Sequence, residues 1–336
     1  MRVDRSSRGD PSFFTALWGR RGIVKSGSLW LPLTIFISLT PGTPHPGAVS
    51  TSLGIFLAVA CWVMTSVLAN DLADCRQDRA AGKFRWICGL DSGAAVGSVC
   101  GFIAAGAGGL LIFGAPWEVF GMYFVSLGLG LAYSLKPLRF KSAGGWGFAA
   151  YGLACVGAYV ILPGIWLGAG RLVVLILGAA VFFDKSVNLL FHQMLDHDTD
   201  GLMQVSTLAV KWGRSKTRQR LRPAAFLAVL VMIAAVLVAV KSLTGSWVII
   251  LGTAAAGWAA CMLGVGKGLK GLSKKSELTK GLPLFYLSTT LVAFRLLPLL
   301  LLIRLSLYEP AYWSLTVGAG VLIGLDLFYS YRYRLP

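Results

Sequence analysis

Acidic residues are scarce in this chain: 14 Asp and Glu stand among 336 residues, against 31 Lys and Arg. Long hydrophilic stretches are missing too, with only 13% of residues charged and 56% hydrophobic. These shortages exclude an ordinary soluble domain. With no polar stretch long enough to fold by itself, the chain reads as one body. Paired cysteines are also lacking. Cys61, Cys75, Cys88, Cys100, Cys155 and Cys261 are scattered without a CxxC, so they read as small apolar core residues. The basic amino terminus is not followed by a short apolar core and a small-residue cleavage site, which argues against a cleavable signal.

What the chain has is apolar runs close to the ~20 residues a spanning helix needs. They lie at 28–43, 48–69, 92–114, 117–135, 147–168, 172–195, 223–243, 246–265, 283–303 and 311–330. The first is the weakest, interrupted by Pro32 and by the prolines of 41–46. The expected fold is an all-α, polytopic membrane bundle of nine to ten transmembrane helices around a central cavity. Residues 1–27 read as a basic tail, 28–303 as the main bundle, and 304–336 as an additional helix with a basic end. Gly and Ala inside the spans, as in 104–109 and at Gly128 and Gly130, suit close helix packing.

The net charge of +17 would suggest nucleic acid in a soluble protein, but its distribution points to topology. Of the 31 Lys and Arg, 26 fall in the two tails and in alternate connections. That asymmetry expects both termini in the cytoplasm and a lipid bilayer, with no nucleic acid, as the surroundings. Arg20, Arg21 and Lys25, with Phe13, Phe14 and Trp18, form a basic, aromatic stretch suited to the membrane interface.

Six of the 14 acids occupy two places, each following an apolar run: Asp71, Asp74 and Asp78 in the first, Asp196, Asp198 and Asp200 in the second. Carboxylates concentrated at a membrane boundary repel one another unless a cation holds them. In the expected topology both stretches share the cytoplasmic side. Asn70, Asp74 and Asp78 are spaced four apart, on one helical face, with Asp71 about a quarter turn away; Asp196 and Asp200 are also four apart. Hard oxygens at this spacing suit Mg2+, which completes its shell with water and phosphate. The spacing turns His197 and Asp198 off that face, so they read as solvated.

Asp184, Asn188, His192 and Asp196 recur every fourth residue along an apolar run. Such a stripe must face a cavity or another helix, because lipid exposure costs several kcal/mol. The cavity reading makes Asp184, Asn188 and His192 substrate-cavity residues; the alternative is packing, with Asp184 paired to Lys185 or Arg295. Positive charge for a phosphorylated ligand is available from Arg76, Arg79, Lys83 and Arg85, and from the stretch Tyr133-Ser134-Leu135-Lys136-Pro137-Leu138-Arg139-Phe140-Lys141.

Three motifs taken together carry a family resemblance: Asn70-Asp71-x-x-Asp74-x-x-x-Asp78, then Tyr133-Ser134-x-x-Pro137-x-x-x-Lys141-x-x-Gly144, then Asp196-x-x-x-Asp200 followed by Ser206-Thr207-Leu208-Ala209. In order and spacing they resemble the UbiA superfamily of intramembrane prenyltransferases, over roughly 28–303. The resemblance implies Mg2+ held by Asn70, Asp71, Asp74, Asp78, Asp196 and Asp200, bridging the diphosphate of an isoprenyl diphosphate. It implies Tyr133, Ser134 and Lys141, with Arg139, Lys83 and Arg85, around the diphosphate. It also implies Asp74, Asp196, Tyr133 and Lys141 as the catalytic set. The implied reaction is prenyl transfer to a lipophilic acceptor, ring-containing and quinone- or chlorin-like. The loop 79–85 lacks the prolines carried by familiar quinone-pathway members. That departure keeps a second reading open, a cyclase that uses no acceptor. A membrane transporter is the third.

Overall fold

In the computed structural model, the described residues are 32–33, 35–36, 47–80, 82, 85–203, 205–241, 292–308 and 310–334, the side chains at 48, 238–241, 292, 308, 324 and 326–334 excepted. Lys83, Cys261, the basic tail, the expected span at 246–265 and most of that at 28–43 lie outside them.

Among the described residues the chain is all helical. The first long helix, α1 (Ala48–Ala73), leads into the short α2 (Cys75–Ala80). A return through a short 3-10 turn (Trp86–Gly89) brings the chain to α3 (Ser92–Ile112), capped by Asp91, whose carboxylate accepts from the Ala94 amide at 2.9 Å. Helix α4 (Trp117–Ser134) follows Pro116, which suits a helix start because proline has no N–H to leave unsatisfied there. Then come α5 (Gly145–Val156), α6 (Leu162–Trp166), α7 (Arg171–Leu195), α8 (His197–Leu202), α9 (Leu208–Trp212) and α10 (Arg214–Lys241). Beyond the gap in the description lie α11 (Leu297–Tyr308) and α12 (Trp313–Arg334), joined side by side by a Ser306–Thr316 hydrogen bond of 2.7 Å.

Five of these helical stretches are long and apolar enough to cross a membrane: Val49–Ala73, Ser92–Ile112, Gly145–Trp166, Arg171–Leu195 and Arg214–Leu237. They coincide with apolar runs read from the sequence. The last starts well before Pro223, where the run itself begins, because the basic turn from Arg214 to Arg222 is already helical. Large apolar side chains stand exposed along their outer faces, among them Val96, Leu111, Ile112, Leu172, Leu175 and Leu230. Such a surface is sustainable only against lipid. The chain is an integral membrane protein.

Because lipid is as apolar as leucine, burial from water does not drive these helices together; close packing must. Gly106 shows how tightly they meet: a Cβ there would lie 2.2 Å from the Tyr123 hydroxyl of α4 and 3.0 Å from Cys61 of α1. The core between these helices holds Trp62, Tyr123, Leu127 and Tyr159, together with Leu33, Ile35 and Phe36.

Two turns widen to the π form, Gly157–Ile161 between α5 and α6 and Val292–Leu296 before α11. Each is followed within two residues by a proline, Pro163 and Pro298. A proline removes one helical hydrogen bond and crowds the carbonyl four residues back, and a widened turn absorbs both. The same turns carry Tyr159 and Phe294, whose ring centres stand 5.5 and 5.9 Å from the Lys185 ammonium. That ammonium pairs with Asp184 at 3.3 Å, and Asn188 donates to the Asp184 carbonyl at 2.9 Å. The inner half of the polar stripe on α7 is therefore packed into the bundle, satisfied by charge pairing and by aromatic faces.

Candidate functional site

Both acid-rich stretches are built in the same way. Asp74 stands at the break between α1 and α2, and Asp196 at the break between α7 and α8. Across each break the helical hydrogen bonding continues: Asp74 N to Asn70 O at 3.0 Å and Asp78 N to Asp74 O at 2.8 Å, then Asp196 N to His192 O at 3.0 Å and Asp200 N to Asp196 O at 2.8 Å. The axis bends while the four-residue register survives.

The two stretches meet at one cavity of about 300 Å3. Asn70, Asp74, Asp78, Asp196 and Asp200 all line it, with Gln77, Thr199, Arg85 and Lys141 at the same level. Further along the helices its wall is made by Tyr133, Ser134, His192 and Gln193, and then by Trp62, Ser66, Val67, Gly130, Tyr151, Ala154 and Leu189. Tyr133 and Tyr151 rest ring against ring, centroids 5.5 Å apart.

Basic side chains hold the first stretch in place. Lys141 donates to both carboxylate oxygens of Asp74, and Arg139 reaches the same carboxylate at 3.0 Å and Gln77 at 3.0 Å. Arg85 pairs with Asp78 at 2.6 Å and with Asp71 at 3.5 Å. Ser134 donates to the Asn70 side-chain carbonyl at 3.2 Å. Burial pulls the Lys141 ammonium below its ordinary pKa, opposed by the Asp74 carboxylate. The loop that presents Arg139 and Lys141 contains the cis Lys136–Pro137 bond, Arg139 at φ 37° and Gly144 at φ 65°.

The structure thus brings together most of the residues singled out from the sequence, and sets some apart. Asp71 is buried against Arg85 and is not among the lining residues. Arg139 reaches the site through Asp74 and Gln77 and does not line the cavity. Asp184 and Asn188, expected in the cavity wall, are absent from it because the Lys185 pairing holds them in the helix packing, whereas His192 is among the lining residues. His197 and Asp198 stand at the surface, paired with each other at 2.9 Å, and Asp198 also meets Arg214 at 3.2 Å. The hydrogen bond from His197, aided by Arg214, holds the Asp198 carboxyl below its ordinary pKa.

Reading all cysteines as apolar packing residues is corrected at two positions. Cys75 and Cys88 are joined in a disulfide, which ties the residue after Asp74 to the return that carries Arg85. Two cysteines 13 residues apart with no motif around them gave no signal of this. Cys61 and Cys155 are buried as expected, and Cys100 is exposed on the outer face of α3. Sequence reasoning also missed Trp62, Ser66 and Gln193. The signal was present for the first two: Trp62, Ser66, Asn70, Asp74 and Asp78 form one series at intervals of four, which runs from the acids back into the span.

The UbiA prenyltransferase family model matches residues 29–276. No curated protein matches the sequence. Among solved structures, a UbiA homolog from Archaeoglobus fulgidus bound to DMAPP and Mg2+ is similar at 17% identity, over 96% of this chain and 98% of that one, with a TM-score of 0.54. The same homolog bound to GPP and Mg2+ gives 15% identity over 86% and 99%, with a TM-score of 0.56. A structure of digeranylgeranylglyceryl phosphate synthase in membranes gives 13% identity over 94% and 95%, with a TM-score of 0.51. At these identities the structures speak for the fold. The family model covers most of the chain, and it agrees with the motifs that converge on the cavity: the chain belongs to the UbiA prenyltransferase family, whose members are prenyl-group transferases.

Proposed function

We propose that the chain transfers an isoprenyl group from an isoprenyl diphosphate to a lipophilic, ring-containing acceptor and releases diphosphate. The observation that carries this reading is one cavity, lined at one level by both acid-rich stretches and further in by aromatic and apolar side chains. The binding of DMAPP or GPP with Mg2+ by the Archaeoglobus fulgidus homolog supports it.

The donor set suits Mg2+, since Asn70, Asp74, Asp78, Asp196 and Asp200 offer hard oxygens around one space. Among the described residues no three acids or other ligating side chains already form a closed metal cage. Mg2+ does not require one, because it keeps waters and takes substrate phosphate oxygens alongside one or two carboxylates. When bound, Mg2+ neutralises charge on the diphosphate and so makes it a better leaving group.

The chain's own residues supply the rest. Lys141 and Arg85 stand beside the acids, with Arg139 behind them, and add positive charge where the departing diphosphate gathers negative charge. Tyr133 and Ser134 orient the diphosphate from α4. As the bond between C1 and the diphosphate oxygen breaks, its electron pair leaves with the diphosphate and C1 takes on allylic cation character. Tyr133 and Tyr151 line that part of the cavity and exclude water that would quench the charge. An electron pair of the acceptor then bonds to C1, and the acceptor gives up a proton. The basic connections support a cytoplasmic position for the acid-rich level and both termini, with 28–303 as the catalytic bundle and 304–336 as an appended helix.

The experiment is to supply purified protein in lipid with isoprenyl diphosphates of several chain lengths, with and without ring acceptors. Diphosphate release that needs both Mg2+ and an acceptor, and that stops with a chelator, is the expected result. Equal release without any acceptor, with a cyclic hydrocarbon as product, would contradict the transfer reading and favour cyclisation.

A further inference from the structure

Past the acid-rich level, three polar groups in the cavity wall have no hydrogen-bond partner among the described residues: the indole N–H of Trp62, the hydroxyl of Ser66 and the side-chain carbonyl of Gln193. Trp62 is 4% exposed and Gln193 6% exposed, so bulk water does not satisfy them. A buried polar group without a partner costs free energy that a fitting ligand recovers. Their placement is built. Trp62 and Ser66 are one turn apart on α1, and Gly130 of α4 seats both, since a Cβ there would lie 2.9 Å from the Ser66 hydroxyl and 3.9 Å from the Trp62 ring. Gln193 lines the same wall as Tyr133.

Resting on the prenyl-transfer reading, we propose that Trp62, Ser66 and Gln193 form the subsite that recognises the acceptor's head group, and that they select a neutral, hydroxyl-bearing ring over a carboxylated one. The chemistry of the three groups sets the choice. Trp62 only donates, Ser66 donates or accepts, and the Gln193 carbonyl only accepts. Together they match a head with one oxygen that accepts and one hydroxyl that donates. Ser and Gln side chains reach such a ligand by rotation about their own bonds. A carboxylated ring would bring a negative charge with no free cation to meet it, since the two cations that line the cavity among the described residues, Arg85 and Lys141, are already held by Asp78 and Asp74. A buried site made to pair with a hydroxyl discriminates strongly against an analogue without one. The aromatic side chains of Trp62 and Tyr151 in the lining suit a ring.

The test uses the full chain in nanodiscs, kept anaerobic, and reads saturable binding of radiolabelled 1,4-dihydroxynaphthalene above that of empty nanodiscs, with no isoprenyl diphosphate present. Competition by its dimethyl ether and by a carboxylated dihydroxynaphthalene is expected to be at least about tenfold weaker than by the unlabelled compound. Ser66→Ala and Trp62→Phe are each expected to weaken binding about tenfold, with Mg2+-dependent isoprenyl diphosphate binding, measured separately, unchanged. Equal competition by the ether, preference for the carboxylate, no saturable binding, or variant affinities within about twofold of the parent protein would each overturn the proposal. Failure of isoprenyl diphosphate to bind would instead count against prenyl transfer itself, so the two outcomes are separable.

Discussion

Asp74→Ala is expected to reduce isoprenyl diphosphate turnover by about 10³-fold or more, the largest effect of any single change in the chain. Asp74 stands where α1 breaks into α2 and faces the cavity shared by both acid-rich stretches. Its carboxylate also anchors Lys141 and Arg139, the two bases carried by the loop after α4. Removing it takes away an oxygen ligand and leaves a poorly exposed ammonium without its counter-charge. Loss of one member of such a pair destabilises by about 3 kcal/mol, so lower activity alone would be ambiguous. The double variant Asp74→Ala/Lys141→Met removes both charges together. It is expected to regain most of the lost thermal stability while remaining inactive. Turnover of the single variant near that of the parent protein would contradict the assignment.

Gly147→Ala is expected to lower kcat by about 10²-fold through geometry alone. A Cβ at Gly147 would lie 2.6 Å from the backbone carbonyl oxygen of Phe140 and 3.3 Å from the Lys141 Cα. Backbone cannot rotate away as a flexible side chain can, so the loop that presents Arg139 and Lys141 has to shift from α5. Overpacking of this kind costs about 1–3 kcal/mol, which also lowers Tm. Gly145→Ala is the control: it lies in the same first turn of α5, yet a Cβ there meets nothing within 4 Å. That variant should keep parental activity and stability, and steady-state kinetics with a thermal melt on both proteins separates the cases. Equal behaviour of the two would show that the position of the loop does not matter to turnover.

Much of the site was legible in the sequence because helical spacing survives the bends. Asn70, Asp74 and Asp78, like Asp196 and Asp200, converge since their i to i+4 hydrogen bonds continue through the junctions at Asp74 and Asp196. The junctions themselves were not legible, because no proline or glycine marks them. The stripe on α7 shows a different limit. Periodicity gives a shared face for Asp184, Asn188, His192 and Asp196, but not what lies opposite. His192 and Asp196 meet the cavity, whereas Asp184 meets Lys185 between the rings of Tyr159 and Phe294, both supplied by π turns ahead of prolines. The Cys75–Cys88 bond depends on how the chain returns after α2, which no local pattern encodes. Trp62 and Ser66 continue the same interval of four past Asn70 into the apolar run, where an indole and a hydroxyl pass as ordinary span residues.

The most direct test of the claim that the two acid-rich stretches form one Mg2+–diphosphate site is equilibrium binding of a radiolabelled, non-reactive isoprenyl thiolodiphosphate to the protein in lipid. It would be measured with and without Mg2+ on the parent protein, on Asp74→Asn and on Asp200→Asn. A single shared site requires saturable binding that depends on Mg2+ and that weakens about 100-fold or more in both variants alike. Parental affinity in either variant, or tight binding without Mg2+, would contradict it.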